Sequence, residues 1–179
     1  MHTVLGLDIS TSITGATIMQ NGKILKTDFW DTRNKNRFPT IYQKANHIKN
    51  KLEQFKVEYK FDYVYIEQSL HSFRSGFSSA QTLSTLSRFN GIVSWLCWDM
   101  FEIKPEMIAA TSARKQAGVG IKRGDNAKEK VLQFIIDKYP DIEIQYTKHG
   151  NPKPGTLDMC DSIVIALAGD KLVREAQTT

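Results

Sequence analysis

The fold is decided by an opening stretch that reads TVLGLDI at residues 3–9. It is apolar almost throughout, which predicts a central strand that is covered on both faces. Asp8 stands near the end of this strand, where a lone carboxylate is costly to bury unless something pairs with it. A turn-forming Asp at a strand end is the plainer interpretation, and Asp8 by itself does not separate the two.

The segments after this strand predict a meander. Residues 10–15 are interpreted as a turn, and a second strand is expected over 16–19. The pair NG at 21–22 is a strong hairpin signal, after which a third strand is expected over 23–30. We therefore expect three neighbouring strands, joined by short turns, at the start of the chain.

Two more strands and several helices complete the pattern. Residues 61–67 and a short segment within 102–110 have the β-branched and aromatic composition of strands. Apolar spacing predicts helices over 40–55, 79–100 and 127–138, with a last helix from 156 into the 170s. The order of elements predicts an α/β fold, a mixed five-stranded sheet with helices on both faces.

Cap and loop signals refine this outline. Thr111 or Ser112 is expected to cap a further short helix, and Asp125 or Asn126 to cap the helix over 127–138. Residues 118–124 form a glycine-rich basic loop, and residues 141–155 are interpreted as a polar loop that contains two prolines. These loops separate the predicted helices of the second half of the chain.

Four acids stand where a buried environment does not favour them. Asp8 and Glu67 each lie near the end of a strand, while Asp158 and Asp161 are three residues apart on one face of an apolar helix. A shared divalent cation offsets such charge, and hard carboxylate oxygens suit Mg²⁺ or Mn²⁺. Two such ions about 4 Å apart are a known arrangement for phosphodiester cleavage.

Each acid also has a structural interpretation. Glu67 is explained equally by an ion pair with a basic side chain. Asp158 alone is explained by the preference for acids in the first turn of a helix. Asp161 lies deeper in the apolar helix and is harder to explain in this way. The metal hypothesis therefore depends on the four acids together.

At these residues the sequence resembles the RuvC-type Holliday-junction resolvases. The order and spacing of the motifs match over nearly the whole chain. The matching motifs are LGLDIS at 5–10 with Thr14-Gly15, YIEQ at 65–68, ARKQAGVG at 113–120, AKEKV at 127–131 and DMCDSIVIA at 158–166. The ordered set is fairly specific, although each motif alone is weak.

The resemblance implies a ribonuclease H-like fold, a homodimer, and Mg²⁺-dependent paired symmetric nicks in a four-way junction. It implies two ions per site, with Mn²⁺ as a substitute, held by Asp8, Glu67, Asp158 and Asp161. A metal-activated water would attack the phosphate and leave 5′-phosphate and 3′-hydroxyl ends. Lys115 and Lys128 match lysines of the family that contact phosphates or support catalysis, with a solvated surface charge as the alternative for each.

Contacts to the DNA backbone are expected from basic side chains between the motifs. The expected residues are Arg114, Lys122, Arg123 and Lys130, the last of which competes with Lys128 for the role near the phosphate. Phe73 is chosen as the aromatic that wedges into the junction, with a packed loop aromatic as the alternative. The helix over 79–100, with Phe89, Trp95 and Trp98, is expected either to form the dimer interface or to pack in the core.

The loops over 69–78 and 121–126 depart from the family pattern. The second of these loops is longer and more basic than usual. Because such loops set the contacts to DNA, the choice of substrate is left open by the sequence. The divergence suggests a phage, viral or organellar branch of the family.

Composition sets the outer limits. The 179 residues carry a formal net charge of +5, which is compatible with a polyanionic partner, and we expect one nuclease domain over residues 1–179. Cys97 and Cys160 lie in apolar runs outside any CxxC pair, so buried reduced thiols are expected. Neither a signal peptide nor an apolar segment of about 18 residues is found, which favours a cytoplasmic protein that is neither secreted nor membrane-bound.

Three other functions compete with a resolvase. GLDISTS at 6–12 also resembles the first phosphate motif of sugar-kinase and actin-like ATPases, but those proteins need two lobes and a second phosphate loop. Another nuclease of the ribonuclease H fold, cutting flaps, other branched DNA or RNA–DNA hybrids, is the second alternative. A DNA-binding module without catalysis is the third, and the presence of all four acids argues against it.

Overall fold

A mixed sheet of five strands runs through the part of the chain that the computed structural model describes, residues 1–68 and 79–178. The strands are β1 (Thr3–Asp8), β2 (Ile13–Gln20), β3 (Lys23–Asp31), β4 (Tyr63–Glu67) and β5 (Glu106–Ile108), in the spatial order β3-β2-β1-β4-β5. The first three strands pair antiparallel, whereas β1, β4 and β5 are parallel to one another. The predicted mixed five-stranded sheet is confirmed.

Five helices accompany the sheet in the described residues. They are α1 (Ile41–Glu58), α2 (Ala80–Phe101), α3 (Ala110–Ala117), α4 (Ala127–Lys138) and α5 (Thr156–Thr178). Side chains cap three of them: Thr40 accepts from Tyr42 N, Ser79 from Thr82 N, and Asn126 from Lys128 N. Asn126, rather than Asp125, therefore caps α4.

Two local predictions are wrong. Strand β2 begins at Ile13 instead of residue 16, because residues 13–15 pair with β1 on one side and β3 on the other. The expected cap of α3 at Thr111 or Ser112 fails as well. That helix begins at Ala110, and its N-cap is Ala109, which makes no side-chain capping bond.

The sheet is covered on both faces, as predicted. On one face, α1 and α2 bury a cluster that includes Leu5, Trp30 and Phe89. On the other face, α5 lies on the sheet with α3 and α4 packed against it. Cys97 and Cys160 are both buried and unpaired, one in each cluster, in agreement with the sequence.

Helix α5 approaches the sheet closely because glycine lies beneath it. A Cβ atom on Gly6 would stand 2.5 Å from the backbone nitrogen of Ala166, and one on Gly15 would stand 2.0 Å from the carbonyl oxygen of Asp158. The buried hydroxyls of Thr17 and Ser162 add a hydrogen bond of 2.8 Å between β2 and the helix. The first turns of α5 are therefore held directly over the ends of β1 and β2.

Candidate active site

The parallel pairing of β1 and β4 brings two of the acids to one edge of the sheet. Leu7 is paired with Ile66. The next residues, Asp8 and Glu67, are the last residues of β1 and β4 and therefore lie side by side. Asn90 of α2 is buried and donates to the Glu67 carbonyl at 3.1 Å, which fixes the end of β4. Ser10 closes the turn after Asp8 by accepting from the backbone nitrogens of Ser12 and Ile13.

Helix α5 brings the other two acids to the same edge. Asp158 lies in its first turn, against Gly15, and Asp161 follows on the same face. Burial raises the pKa of Asp8 well above its ordinary value, and the charges of Glu67, Asp161 and Asp158 raise it further. All four predicted acids are therefore close enough to act on one another electrostatically.

Glu67 is perturbed in the same direction. Burial, followed by the charge of Asp161, raises its pKa to about 7, against the opposing effect of Arg114 and Lys128. A carboxyl group with a pKa near neutrality exchanges its proton readily under ordinary conditions. Glu67 is thus balanced between its charged and neutral forms when no further cation is present.

Lys128 is the cation of the cluster. Its Nζ donates to Asp161 Oδ2 at 2.9 Å, where the carboxylate is nearly inaccessible and the lysine is half exposed. Partial burial opposes the charge of Lys128, but Asp161, with Asp8 and Asp158, outweighs it and raises the pKa of the lysine. Lys130 lies 3.9 Å from Asp125 instead. Of these two competing lysines, the structure brings only Lys128 to the acids.

Arg33 is a further cation near the acids, and no pattern in the sequence indicated it. Burial raises the pKa of Asp158, while Lys128 and, more weakly, Arg33 lower it. Arg33 is held by Asp31, which accepts from its Nε at 3.0 Å and from its Nη2 at 2.6 Å. It lies in the polar loop after β3, where a basic side chain is ordinary.

The donor chemistry of the cluster fits a divalent cation. Carboxylate oxygens are the hard ligands that Mg²⁺ and Mn²⁺ prefer, and the raised pKa of Asp8 shows that its charge is poorly compensated. Within the described ranges, however, no three acid, histidine or cysteine side chains are close enough together to hold an ion as they stand. The four acids fit a divalent cation in ligand type and charge, and in this structure Lys128 is paired with one of them, Asp161.

The other predicted site residues are distributed around this cluster. Arg114 is half-buried and lowers the pKa of Glu67, whereas Lys115, one residue later on α3, is exposed. Lys122 and Arg123 are exposed in a turn that Asp125 closes by accepting from Lys122 N at 2.7 Å. Phe73, the wedge candidate, lies outside the described residues.

One face of α2 is exposed along its length. Phe89 is fully buried and belongs to the core, whereas Trp95 and Trp98 are 55% and 53% exposed. Ser84, Arg88 and Gly91 continue the exposed face. Of the two alternatives for this helix, core packing applies to Phe89, whereas Trp95 and Trp98 lie outside the core.

Sheet order, strand direction and helices on both faces define an α/β protein of the ribonuclease H-like class. Within that class the chain is similar to Thermus thermophilus RuvC in complex with a Holliday junction substrate, with a TM-score of 0.70 and 13% identity over 98% of this chain and 96% of that one. It is also similar to the yeast mitochondrial Holliday junction resolvase Ydc2, with a TM-score of 0.61 and 13% identity over 98% of this chain and 80% of that one.

A second Thermus thermophilus RuvC structure gives a TM-score of 0.66 at 14% identity, covering 97% of this chain and 96% of that one. At these identities the likeness establishes the fold, and it confirms the structural resemblance to RuvC-type proteins. No family model and no curated protein matches the sequence. None of the helices in the described ranges is long and apolar enough to cross a membrane.

Proposed function

We propose that the protein is a structure-selective, metal-dependent endonuclease that resolves four-way DNA junctions by paired symmetric nicks. The observation that carries the proposal is the meeting of Asp8, Glu67, Asp158 and Asp161 at one edge of the sheet. Their fold is shared with a RuvC that was solved in complex with a Holliday junction substrate. The nuclease domain spans residues 1–179 and acts in the compartment where the DNA is processed, the cytoplasm in a bacterial host.

In this proposal the four acids hold two Mg²⁺ ions, for which Mn²⁺ substitutes. When bound, such ions activate a water for attack on the phosphate and stabilise the leaving oxygen, giving 5′-phosphate and 3′-hydroxyl ends. Lys128 is placed to offset negative charge on the phosphate, since its Nζ lies among the acids. Arg114 of α3 acts in the same direction as Lys128, because its positive charge lowers the pKa of Glu67.

The nucleic acid is a large polyanion, and the exposed cations of α3 and α4 are placed to hold its backbone. Lys115, Lys122, Arg123 and Lys130 lie on or between these helices and are exposed. Contacts of this kind fix the position of DNA without reading its sequence. Phe73 remains the proposed wedge at the junction centre.

The second copy of the chain needed for two nicks docks, in our proposal, on the exposed face of α2. The face follows alternating steps of four and three residues, through Ser84, Arg88, Gly91, Trp95 and Trp98. That spacing forms the seam of paired helices, and the small residues in it allow close approach. Trp95 and Trp98 are half-exposed, and tryptophan is among the residue types enriched at binding hot spots.

The test is cleavage of labelled synthetic four-way junctions, matched linear duplexes and an RNA–DNA hybrid, with Mg²⁺, with Mn²⁺ and with chelator. Metal-dependent symmetric nicks in the junction, absent in Asp8→Asn, are the expected result. Cleavage of the hybrid or the linear duplex instead would keep the metal site and assign another substrate. If nothing is cleaved while junction binding persists, the catalytic proposal is wrong.

A further inference from the structure

Residues 145–153 form a small hairpin where a polar loop was expected. Tyr146 and Pro152 are bridged, Thr147 N donates to the Asn151 carbonyl at 2.7 Å, and Lys153 N donates to the Gln145 carbonyl at 2.8 Å. The turn closes through Gly150, whose φ of 79° is the left-handed conformation that glycine adopts easily. This segment is therefore a defined arm, which we call the 145–153 hairpin.

The base of the 145–153 hairpin is anchored beside the acidic cluster. Gly155 lies directly on the ring of Phe29 in β3, where a Cβ atom would stand 2.3 Å from the ring. Three residues later the chain reaches Asp158 in the first turn of α5. The arm and the acid thus share one short, fixed stretch of backbone, so the position of one constrains that of the other.

A groove of about 460 Å³ lies between the hairpin base and the end of β3. Arg33 and Lys153 line it, and Thr156 and Met159 lead from it to Asp158. Lys153 donates to the neutral Gln145 Oε1 at 3.2 Å, so that contact leaves its charge uncancelled. The groove therefore opens next to the acidic cluster and presents two basic side chains to a ligand, of which Arg33 is also paired with Asp31.

Arg33 is oriented toward this groove by its neighbours. Thr32 is buried, and its backbone nitrogen donates to the Ser12 carbonyl at 2.8 Å, which joins this loop to the turn that follows Asp8. Asp31 engages Nε and Nη2 of Arg33, and none of these bonds uses Nη1. An arginine held on one side with donors left on the other is suited to a phosphate.

Two acids line the groove, and they differ in whether their carboxylates are hydrogen-bonded to the protein. The Asp28 carboxylate is engaged internally, since it accepts from Phe29 N at 2.8 Å and from Trp30 Nε1 at 3.0 Å. Glu143 is exposed at the groove wall. The negative charge of Glu143 repels an anionic ligand. Its removal in E143Q is therefore expected to strengthen binding, in contrast to the removal of Arg33 or Lys153.

We propose that this groove and the 145–153 hairpin bind the phosphate backbone of one duplex arm of the DNA substrate, through Arg33 and Lys153. The inference rests on the proposed function and extends it. Strand order places Arg33 on the β3 side of the acids, whereas α3, which carries Arg114, follows β5 at the other edge. The acidic cluster then lies between two separate backbone contacts, and Lys148, exposed on the hairpin, extends the new one.

The experiment is binding of a labelled four-way junction by the full chain in chelator, where cleavage is not part of the readout, across a range of salt concentrations. Each lost phosphate contact lowers the slope of log K against log salt by about 0.9. The double variant R33Q/K153Q is therefore expected to lower that slope by about two and to weaken binding about tenfold or more at low salt. R33K is expected to retain the slope, and E143Q to strengthen binding about twofold.

Lys60→Gln is the matched control, because Lys60 is exposed and precedes the start of β4, whereas the acids lie at the other end of that strand. If the double variant binds with the affinity and slope of this control, the inference is overturned, while junction cleavage by the wild type would leave the proposed function standing. If the wild type binds linear duplex as well as junctions and the double variant still loses the slope, the groove is supported and junction selectivity is not. If the wild type binds no nucleic acid, both are wrong.

Discussion

At the scale of single residues, Asp8 is an acid whose negative charge is opposed both by burial and by the other three acids. Burial and three neighbouring acids raise its pKa, so its ionised form works against folding at neutral pH. We expect Asp8→Asn to raise the melting temperature of the metal-free protein, measured by calorimetry, and to lower junction cleavage by at least about 100-fold.

Asp141→Asn is the control for this substitution, since Asp141 is exposed and lies away from the cluster in sequence. It should leave both quantities unchanged. A metal-free Asp8→Asn protein that melts earlier than the wild type would contradict the view that the acids repel one another.

Glu67 gives the site a dependence on pH. Its pKa in the folded protein, about 7, lies above its ordinary value of 4.5, so the native state holds this proton more tightly than the unfolded chain does. The stability from that proton is complete below about pH 4.5 and is lost as the pH rises through about 7. Melting curves of the metal-free protein should show this loss, and Glu67→Gln should remove it.

Metal binding should show the opposite trend, because a proton on Glu67 competes with the cation. We expect Mg²⁺ to raise the melting temperature more at pH 8 than at pH 6. At about 100 times its dissociation constant, Mg²⁺ stabilises the fold by about 2.7 kcal/mol, which corresponds to roughly 5–10 °C for a chain of this size. An equal increment at both values of pH would exclude Glu67 as a ligand.

Lys128 and Lys130 form a natural pair for comparison, since both are half-exposed lysines of the same helix. Lys128→Ala leaves the buried Asp161 carboxylate without its partner, so we expect a loss of about 1 kcal/mol, discounted for the exposure of the lysine, and slower cleavage. Lys130→Ala should change stability by less than about 0.5 kcal/mol. Denaturant unfolding and cleavage rates, measured on both variants, test the difference.

At the scale of elements, the contact between β2 and α5 sets the position of Asp158. A methyl group on Gly15 would overlap the Asp158 carbonyl, which belongs to helix backbone and has no rotamer to adjust. We expect Gly15→Ala to cost roughly 1–3 kcal/mol and to reduce cleavage beyond what its stability explains, measured well below the melting temperature.

Gly120→Ala is the control for this contact, because a Cβ atom there meets no atom within 4 Å. It adds the same methyl group without displacing α5. Cleavage by Gly15→Ala at the wild-type rate, once folded, would mean that the site tolerates a shift of Asp158.

At this scale, some features were predictable from the sequence and others depended on contacts between elements. The four acids were predicted because charge in apolar strands and in an apolar helix is visible in one dimension. The extension of β2 to Ile13 was missed because TSITG reads as a turn until its pairing on both sides is known. Arg33 was missed for a similar reason, since only the folded loop brings it near Asp158.

At the scale of the whole molecule, the arrangement of layers was predictable and the surface was not. The alternation of strand and helix patterns fixes a covered mixed sheet, because each apolar face must be buried. The 145–153 hairpin and the exposed face of α2 were not predictable in this way. Polar residues at a loop and tryptophans in a helix are compatible with several surroundings, and only the tertiary structure chooses among them.

The state of association is the main prediction at this scale. Replacing both Trp95 and Trp98 by Lys places charge on the proposed seam between two copies, so we expect a monomer where the wild type is a dimer. Light scattering coupled to gel filtration measures the mass directly. Tyr42→Lys, at an aromatic that is 68% exposed on α1, is the matched control and should remain dimeric.

Helix α5 has a consequence for the time at which the protein becomes able to act. Strands β1 to β3 pair with near neighbours, whereas α5 meets β1 and β2 across some 150 residues of chain, as in the hydrogen bond of 2.8 Å between the hydroxyls of Thr17 and Ser162, which are 145 residues apart. Chains emerge from the ribosome from the amino terminus onward, and distant pairings form last. A nascent chain that stops short of α5 carries only two of the four acids and an uncovered sheet face. Under the proposed function, such a chain lacks half of the metal ligands, so we expect no DNA cleavage before α5 has been synthesised.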